Sequence, residues 1–264
     1  FSPDQKKLAV ISDQNDLWIW SIPNESHAQV LYFPRRLKAE IVDVAFNETG
    51  DKIVTITIDG EFLEWDLNVP TYKPMLLTHS GVIQGYDLSK DGKWAATGGE
   101  DNVVALWDMD NKRKHKQIIM DNNVGMVVFQ DDGSRLFVVE MAGQIPIHWS
   151  TFSLPELNKE NEGPMPREDT FNVAFSPTGQ HLVYSRNNNE VTLVRISNNK
   201  STSLLGHGAR VMGQSFSPDG QTVVTMSADN YVRAFDVTSG KEKYRRAYGS
   251  LWGSNVVFSN DGKL

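Results

Sequence analysis

One five-residue phrase returns along this chain at nearly constant intervals, and few folds can accommodate that. FSPDQ begins at Phe1, FNETG at Phe46, LSKDG at Leu88, FQDDG at Phe129, FSPTG at Phe175, FSPDG at Phe216 and FSNDG at Phe258; successive starts are 45, 42, 41, 46, 41 and 42 residues apart. A second marker follows each of the first six at 19 or 20 residues: Trp20, Trp65, Trp107, Trp149, Arg195 and Phe235. Two periodic signals locked in phase define a repeat protein, in which one small unit is copied and stacked on its neighbours.

Each unit reads as short strands. VIQGYDLS and VMGQSFS alternate toward an apolar end and then meet the Ser-Pro-Asp-Gly phrase. Pro suits the second position of a type I turn, and Gly tolerates the left-handed position that follows. A second strand (WAATGGE, TVVTMSA) stops at Asp59-Gly60, Asp101-Asn102 or Asp229-Asn230, pairs that accept the positive φ of a tight hairpin. A third strand ends at the aromatic marker (EFLEWD, VVALWD), and a more polar fourth (KPMLLTH, KSTSLLGH) leads to the next unit. Four short strands per period, without helical periodicity, describe an all-β fold built of propeller blades.

Trp65-Asp66 and Trp107-Asp108, the variant Phe235-Asp236, and Gly206-His207 upstream resemble the WD-repeat (WD40) family, and the resemblance covers essentially the whole chain. It implies a seven-bladed WD-repeat β-propeller of four-stranded antiparallel blades, with the first and last blades incomplete. Residues 1–264 are then one β-propeller domain and a fragment of a longer chain; an array of more than seven blades is the alternative. Trp20 and Trp149 are followed by Ser, and Arg195-Ile196 replaces the dipeptide. Most units also lack the Gly-His pair, so several blades must be held by packing alone.

The family's polar set decides how one suggestive group of residues is read. His207, Thr225 and Asp229 carry the side-chain types of a hydrolase triad. In the family, however, one His, one Ser or Thr, one Asp and the Trp form a hydrogen-bonded set inside a blade. His79, Thr97, Asp101 and Trp107 match it fully; His207, Thr225 and Asp229 match it with Phe235 for Trp. Thr97 and Asp101 are four apart, as are Thr225 and Asp229, and Thr55 and Asp59, which keeps each pair on one strand face. A catalytic constellation has no reason to recur at a fixed offset, whereas a strut has. These residues are therefore expected to be structural, and no catalytic residue is assigned.

Composition removes other classes. The net charge of −7 disfavours a generic polyanion binder, and the absence of cysteine excludes disulfides, thiolate zinc sites and cysteine nucleophiles. The six histidines show no close pair at metal-ligand spacing, so no metal or cofactor is expected. No apolar run approaches a membrane span. The basic runs Lys112–Lys116 and KEKYRR (241–246) fall at fourth strands, where Lys and Arg on an outer edge discourage sheet-to-sheet association. No nucleic-acid partner is expected. LPELNKENEGPMPRED, between Trp149 and Phe175, reads as a long acidic loop.

The resemblance also implies a docking face, built by residues four and six positions before each FSPDG-like start and by the residue before the turn Asp. Carried across, these are Glu40, Val42, Val82, Gln84, Asn123, Gly125, Asp169, Phe171, Arg210, Met212, Trp252 and Ser254, with Glu100 and Ala228. Trp252 and Phe171 have the alternative of packing on their own strands. The function implied is a non-enzymatic scaffold that binds a protein or peptide partner, or other domains of the same chain, as a sensor region in a larger cytoplasmic protein. A small-ligand or catalytic site in a central channel is the alternative; it requires titratable side chains converging from different blades.

Overall fold

The computed structural model describes residues 2–12, 16–21, 28–31, 40–47, 49–57, 61–68, 72–76, 79–165, 170–249, 256–258 and 262. Among them every regular element is a strand, and the strands lie in six antiparallel sheets that follow chain order. The chain forms two compact units, Phe1–Phe129 and Gln130–Leu264.

In the first unit, β1 (Lys7–Ile11), β2 (Leu17–Ser21) and β3 (Ala28–Leu31) make a three-stranded sheet. A four-stranded sheet follows: β4 (Ile41–Phe46), β5 (Lys52–Thr57), β6 (Glu61–Asp66) and β7 (Tyr72–Leu76). The next contains β8 (Ile83–Leu88), β9 (Trp94–Gly99), β10 (Val103–Asp108) and β11 (Arg113–Ile119), and β12 (Asn123–Phe129) packs against β8 and β9. In the second unit β13 (Arg135–Ala142), β14 (Ile145–Ser153) and β15 (Asn158–Pro164) pair in succession. Then come the sheet β16 (Thr170–Phe175), β17 (His181–Arg186), β18 (Val191–Arg195) and β19 (Lys200–Leu204), and the sheet β20 (Val211–Phe216), β21 (Thr222–Ser227), β22 (Tyr231–Asp236) and β23 (Glu242–Ala247). The FSNDG start at Phe258 runs mostly outside the described residues, and 256–258 hold no strand.

The recurrent phrase is a turn that ties itself. In Ser-Lys-Asp-Gly, the Gly92 amide donates to the Ser89 carbonyl at 2.7 Å, and Gly92 has φ +70°, a region closed to most side chains. The Ser89 hydroxyl donates to Asp91 at 2.7 Å and accepts from the Trp94 amide at 2.9 Å, stitching the end of β8 to the start of β9. Ser217 and Asp219 repeat the arrangement before β21.

Second strands bury both faces. On β5, Ile53 joins Leu17, Ile19, Leu63 and Trp65 in one core, while Val54 and Ile56 join Ala95, Ala105 and Trp107 in another. Alternate side chains of a strand point to opposite sides, so a strand inside a stack of sheets must be apolar at consecutive positions. The outer strands are the reverse: β23 is exposed along its whole length and β11 along most of it, so both basic runs occupy sheet edges.

Strand register corrects two of the periodic markers. The residue seven after each phrase start pairs with the marker: Leu8↔Trp20, Ile53↔Trp65, Ala95↔Trp107 and Val223↔Phe235. In the fourth repeat the corresponding pair is Leu136↔Phe152, and Trp149, though buried, lies opposite Val139. The β13–β14 hairpin is longer than the others and shifts register between Glu140 and Met141, which moves Trp149 out of phase. In the fifth repeat Leu182 pairs with buried Val194, and exposed Arg195 takes the place that Asp108 holds in the third. The expectation of a long acidic loop is also corrected: NKENEGP is strand β15, polar because it is an outer edge.

Candidate functional site

The polar network in the third repeat is built from three places in the chain. His79 precedes β8, Thr97 lies on β9 and Trp107 on β10; Asp101 sits in the turn between those last two strands. The Trp107 indole donates to Thr97 Oγ1 at 2.8 Å, Thr97 Oγ1 meets His79 Nε2 at 2.8 Å, and His79 Nδ1 meets Asp101 Oδ1 at 2.9 Å. Indole nitrogen can only donate. Every polar hydrogen is satisfied if Thr97 passes its own to Nε2 and Nδ1–H donates to the carboxylate. Asp101 also receives the Ser80 amide at 2.8 Å. Burial works to raise the Asp101 pKa, but the His79 hydrogen bond and the Ser80 amide outweigh it, holding the carboxyl below its usual range.

The sixth repeat uses the same positions differently. His207 Nε2 meets Thr225 Oγ1 at 2.9 Å, but Asp229 does not bond to His207. Its carboxylate takes Arg233 at 2.8 Å and the Gly208 amide at 2.7 Å. Arg233, 3% exposed on β22, lies between Asp229 and Glu242. Phe235 offers no indole donor, and its ring leans on His207 with centroids 5.5 Å apart. Burial, reinforced by Arg233, lowers the His207 pKa to about 4, with Asp229 and the Leu204 carbonyl opposing. His207 is therefore neutral near pH 7. Nothing in the phrase pattern pointed to Arg233; an arginine near mid-strand beside a Phe-for-Trp replacement was the available signal.

The residues expected at the docking face separate by unit. In the first, Gln84 donates to Glu100 at 2.8 Å on the surface, Glu40 is exposed just before β4, and Asn123 opens β12 half-buried. In the second, the Arg210 guanidinium lies 3.6 Å from the centre of the Phe171 ring, and Phe171 is 46% exposed. Met212 is half-buried, and its carbonyl accepts from the Asn172 amide at 3.1 Å. Gln214 returns the tie with bonds to the Asn172 and Val183 carbonyls at 3.0 and 2.9 Å, fixing β20 against the preceding sheet. Asn172 and Gln214, invisible in the repeat pattern, thus position the Phe171–Arg210 pair. Trp252, Asp169 and Ser254 lie outside the described residues.

Among the described residues, no group of histidine and carboxylate side chains could hold a metal ion, and no helix is long and apolar enough to cross a membrane.

Turn-tied strands, double-faced cores and the Trp–Thr–His–Asp chain together define sheets of the WD-repeat propeller-blade class. Residues 71–108 and 198–236 match the WD40 family, "WD domain, G-beta repeat". The chain is 27% identical over 186 residues to the B-type cell cycle switch protein ccs52B of Medicago truncatula, which covers 68% of this chain and 37% of that one. It is 28% identical over 248 residues to Meiotic fizzy-related protein 1 of Schizosaccharomyces pombe, covering 90% and 56%. A 24% identical match over 258 residues to "Cell division cycle 20.5, cofactor of APC complex" of Arabidopsis thaliana covers 90% and 54%. The chain thus spans between about a third and just over half the length of these relatives.

Proposed function

We propose that this chain is a non-enzymatic interaction module of a cytoplasmic protein and docks a protein or peptide partner. The observation that carries this reading is the Phe171–Arg210 pair. An aromatic ring half in solvent carries a guanidinium stacked on its face, and among the described residues no carboxylate pairs with Arg210. Aromatic and arginine side chains dominate interface energetics, and a cation already seated on a ring is preorganised for binding. Gln84, Glu100, Glu40, Asn123, Met212 and Trp252 are assigned to the same role. The names of the relatives support it by kind, one being called a cofactor of a complex. Among the described residues, the His79–Asp101 and Asp229–Arg233–Glu242 clusters each stay within one repeat, as struts do.

The test is quantitative cross-linking of the full-length protein in its native cell against Phe171→Ala and Arg210→Ala. Each variant should lose its cross-linked partners by about tenfold while melting within about 2 °C of the parent. Partners that survive both substitutions at full yield refute the assignment of this face.

A further inference from the structure

A second surface of the Gln130–Leu264 unit has a different chemistry. Phe171 and Arg210 stand at or just before the starts of β16 and β20. A cleft of about 440 Å³ opens beyond the other ends of the strands, between the turn that follows β16, the turn that follows β18 and the turn that follows β22. Such a volume lies near the lower end of the range for small-ligand sites, about 300–1,000 Å³. Arg135, Asn161, His181, Arg195, Ser197 and Thr238 line it, and among the described residues its lining contains no Asp or Glu.

The charges are unevenly used. Arg135 is paired with Glu160 beside the cleft. Arg195 is exposed, and among the described residues no carboxylate pairs with it. Its neighbour across the ladder is His181, only 9% exposed and bonded through its backbone amide to Ser176. Burial lowers the His181 pKa, and the Arg195 charge lowers it further. The ring thus remains neutral near pH 7, and among the described lining residues Arg195 is the cation without a carboxylate partner. Ser197 and Thr238 add hydroxyls, and Asn161, held by a 3.3 Å bond to Thr151, adds an amide. The wall supplies an unpaired guanidinium and several neutral donors, converging from three successive repeats, with Glu160 at its edge already engaged by Arg135.

From this geometry we infer that the cleft is a binding site for a phosphoryl group carried on a serine or threonine side chain of a peptide. A guanidinium fork matches tetrahedral phosphate oxygens better than any other side chain does, and charge-assisted bonds to it are about twice as strong as neutral ones. The cleft is larger than one phosphate requires and leaves room for the carrying side chain. The site does not depend on the Phe171–Arg210 reading, since it lies at the opposite strand ends and uses none of those residues.

The full chain is titrated with N-acetyl-glycyl-phosphoseryl-glycinamide, its unphosphorylated counterpart and inorganic phosphate, following the His181 imidazole NMR signals and the heat of binding. The phosphopeptide is expected to shift His181, the unphosphorylated peptide to leave it unmoved, and phosphate to bind more weakly than the phosphopeptide. Arg195→Gln should weaken the phosphopeptide about tenfold or more, with partial recovery in Arg195→Lys. Thr238→Glu, which adds an acid at an exposed position, should abolish binding, and Arg186→Gln, in an Arg186–Glu190 pair outside the cleft, should change nothing. A His181 signal indifferent to the phosphopeptide, or an Arg195→Gln variant that binds as the parent does, overturns the site. Phosphate binding as tightly as the phosphopeptide overturns the peptide assignment and makes it a free-phosphate site.

Discussion

Thr97→Val separates a strut that acts as a connected chain from one that acts as isolated bonds. Valine fills nearly the same space, so the change removes a hydroxyl and opens no cavity. Thr97 Oγ1 serves two buried partners, the Trp107 indole and His79 Nε2, each at 2.8 Å. Its removal strands one donor and one acceptor. Leaving a buried polar group unpaired costs about 1–3 kcal/mol, so two give a loss of about 3 kcal/mol. Thr225, at the matching place in the sixth repeat, serves only His207, at 2.9 Å, because Phe235 has no donor. Thr225→Val should therefore cost about half as much, near 1.5 kcal/mol. Urea denaturation of both variants beside the parent gives the comparison from midpoints at constant slope. Equal losses, or a larger loss for Thr225→Val, would refute the count of stranded groups.

Two further outcomes rest on separate features. His207 is held neutral, with its pKa lowered from 6.5 to about 4, so below pH 6.5 the unfolded chain binds a proton that the folded chain refuses. Stability should therefore fall as pH drops from 6.5 toward 4 and this contribution should level off below that; His207→Gln should flatten the fall, and identical pH profiles would contradict it. At Gly85, a Cβ would stand 2.8 Å from the Met126 backbone, which cannot yield as a side chain tip would. Gly85→Ala should cost about 1–3 kcal/mol in a urea melt, against a change within about 0.5 kcal/mol for Gly208→Ala, where the nearest atom is at 3.5 Å.

The phrase pattern carried the fold because its physics is local. Ser, Asp and Gly within five residues close their own turn, and the same turn recurs wherever they recur, as at Ser89–Gly92 and Ser217–Gly220. Counting along the chain failed where a hairpin changed length. Trp149 is at nearly the expected distance from Phe129, yet the longer β13–β14 hairpin gives its place to Phe152. Composition misled at residues 158–164, because an outer edge strand facing water on its open side is as polar as a loop.

What sequence alone determined was the repeat, its strand content and the His79–Thr97–Asp101–Trp107 set, all of them relations within one unit and dictated by spacing. Tertiary structure decided what depends on more than one unit, or on competition within a unit. It turned Asp229 toward Arg233 instead of His207, set Arg210 on Phe171, and gathered Arg195, His181 and Thr238 around one cleft. The reason is physical: a side chain's partner is fixed by which strands lie side by side and how deeply water is excluded between them, and neither quantity is a function of distance along the chain.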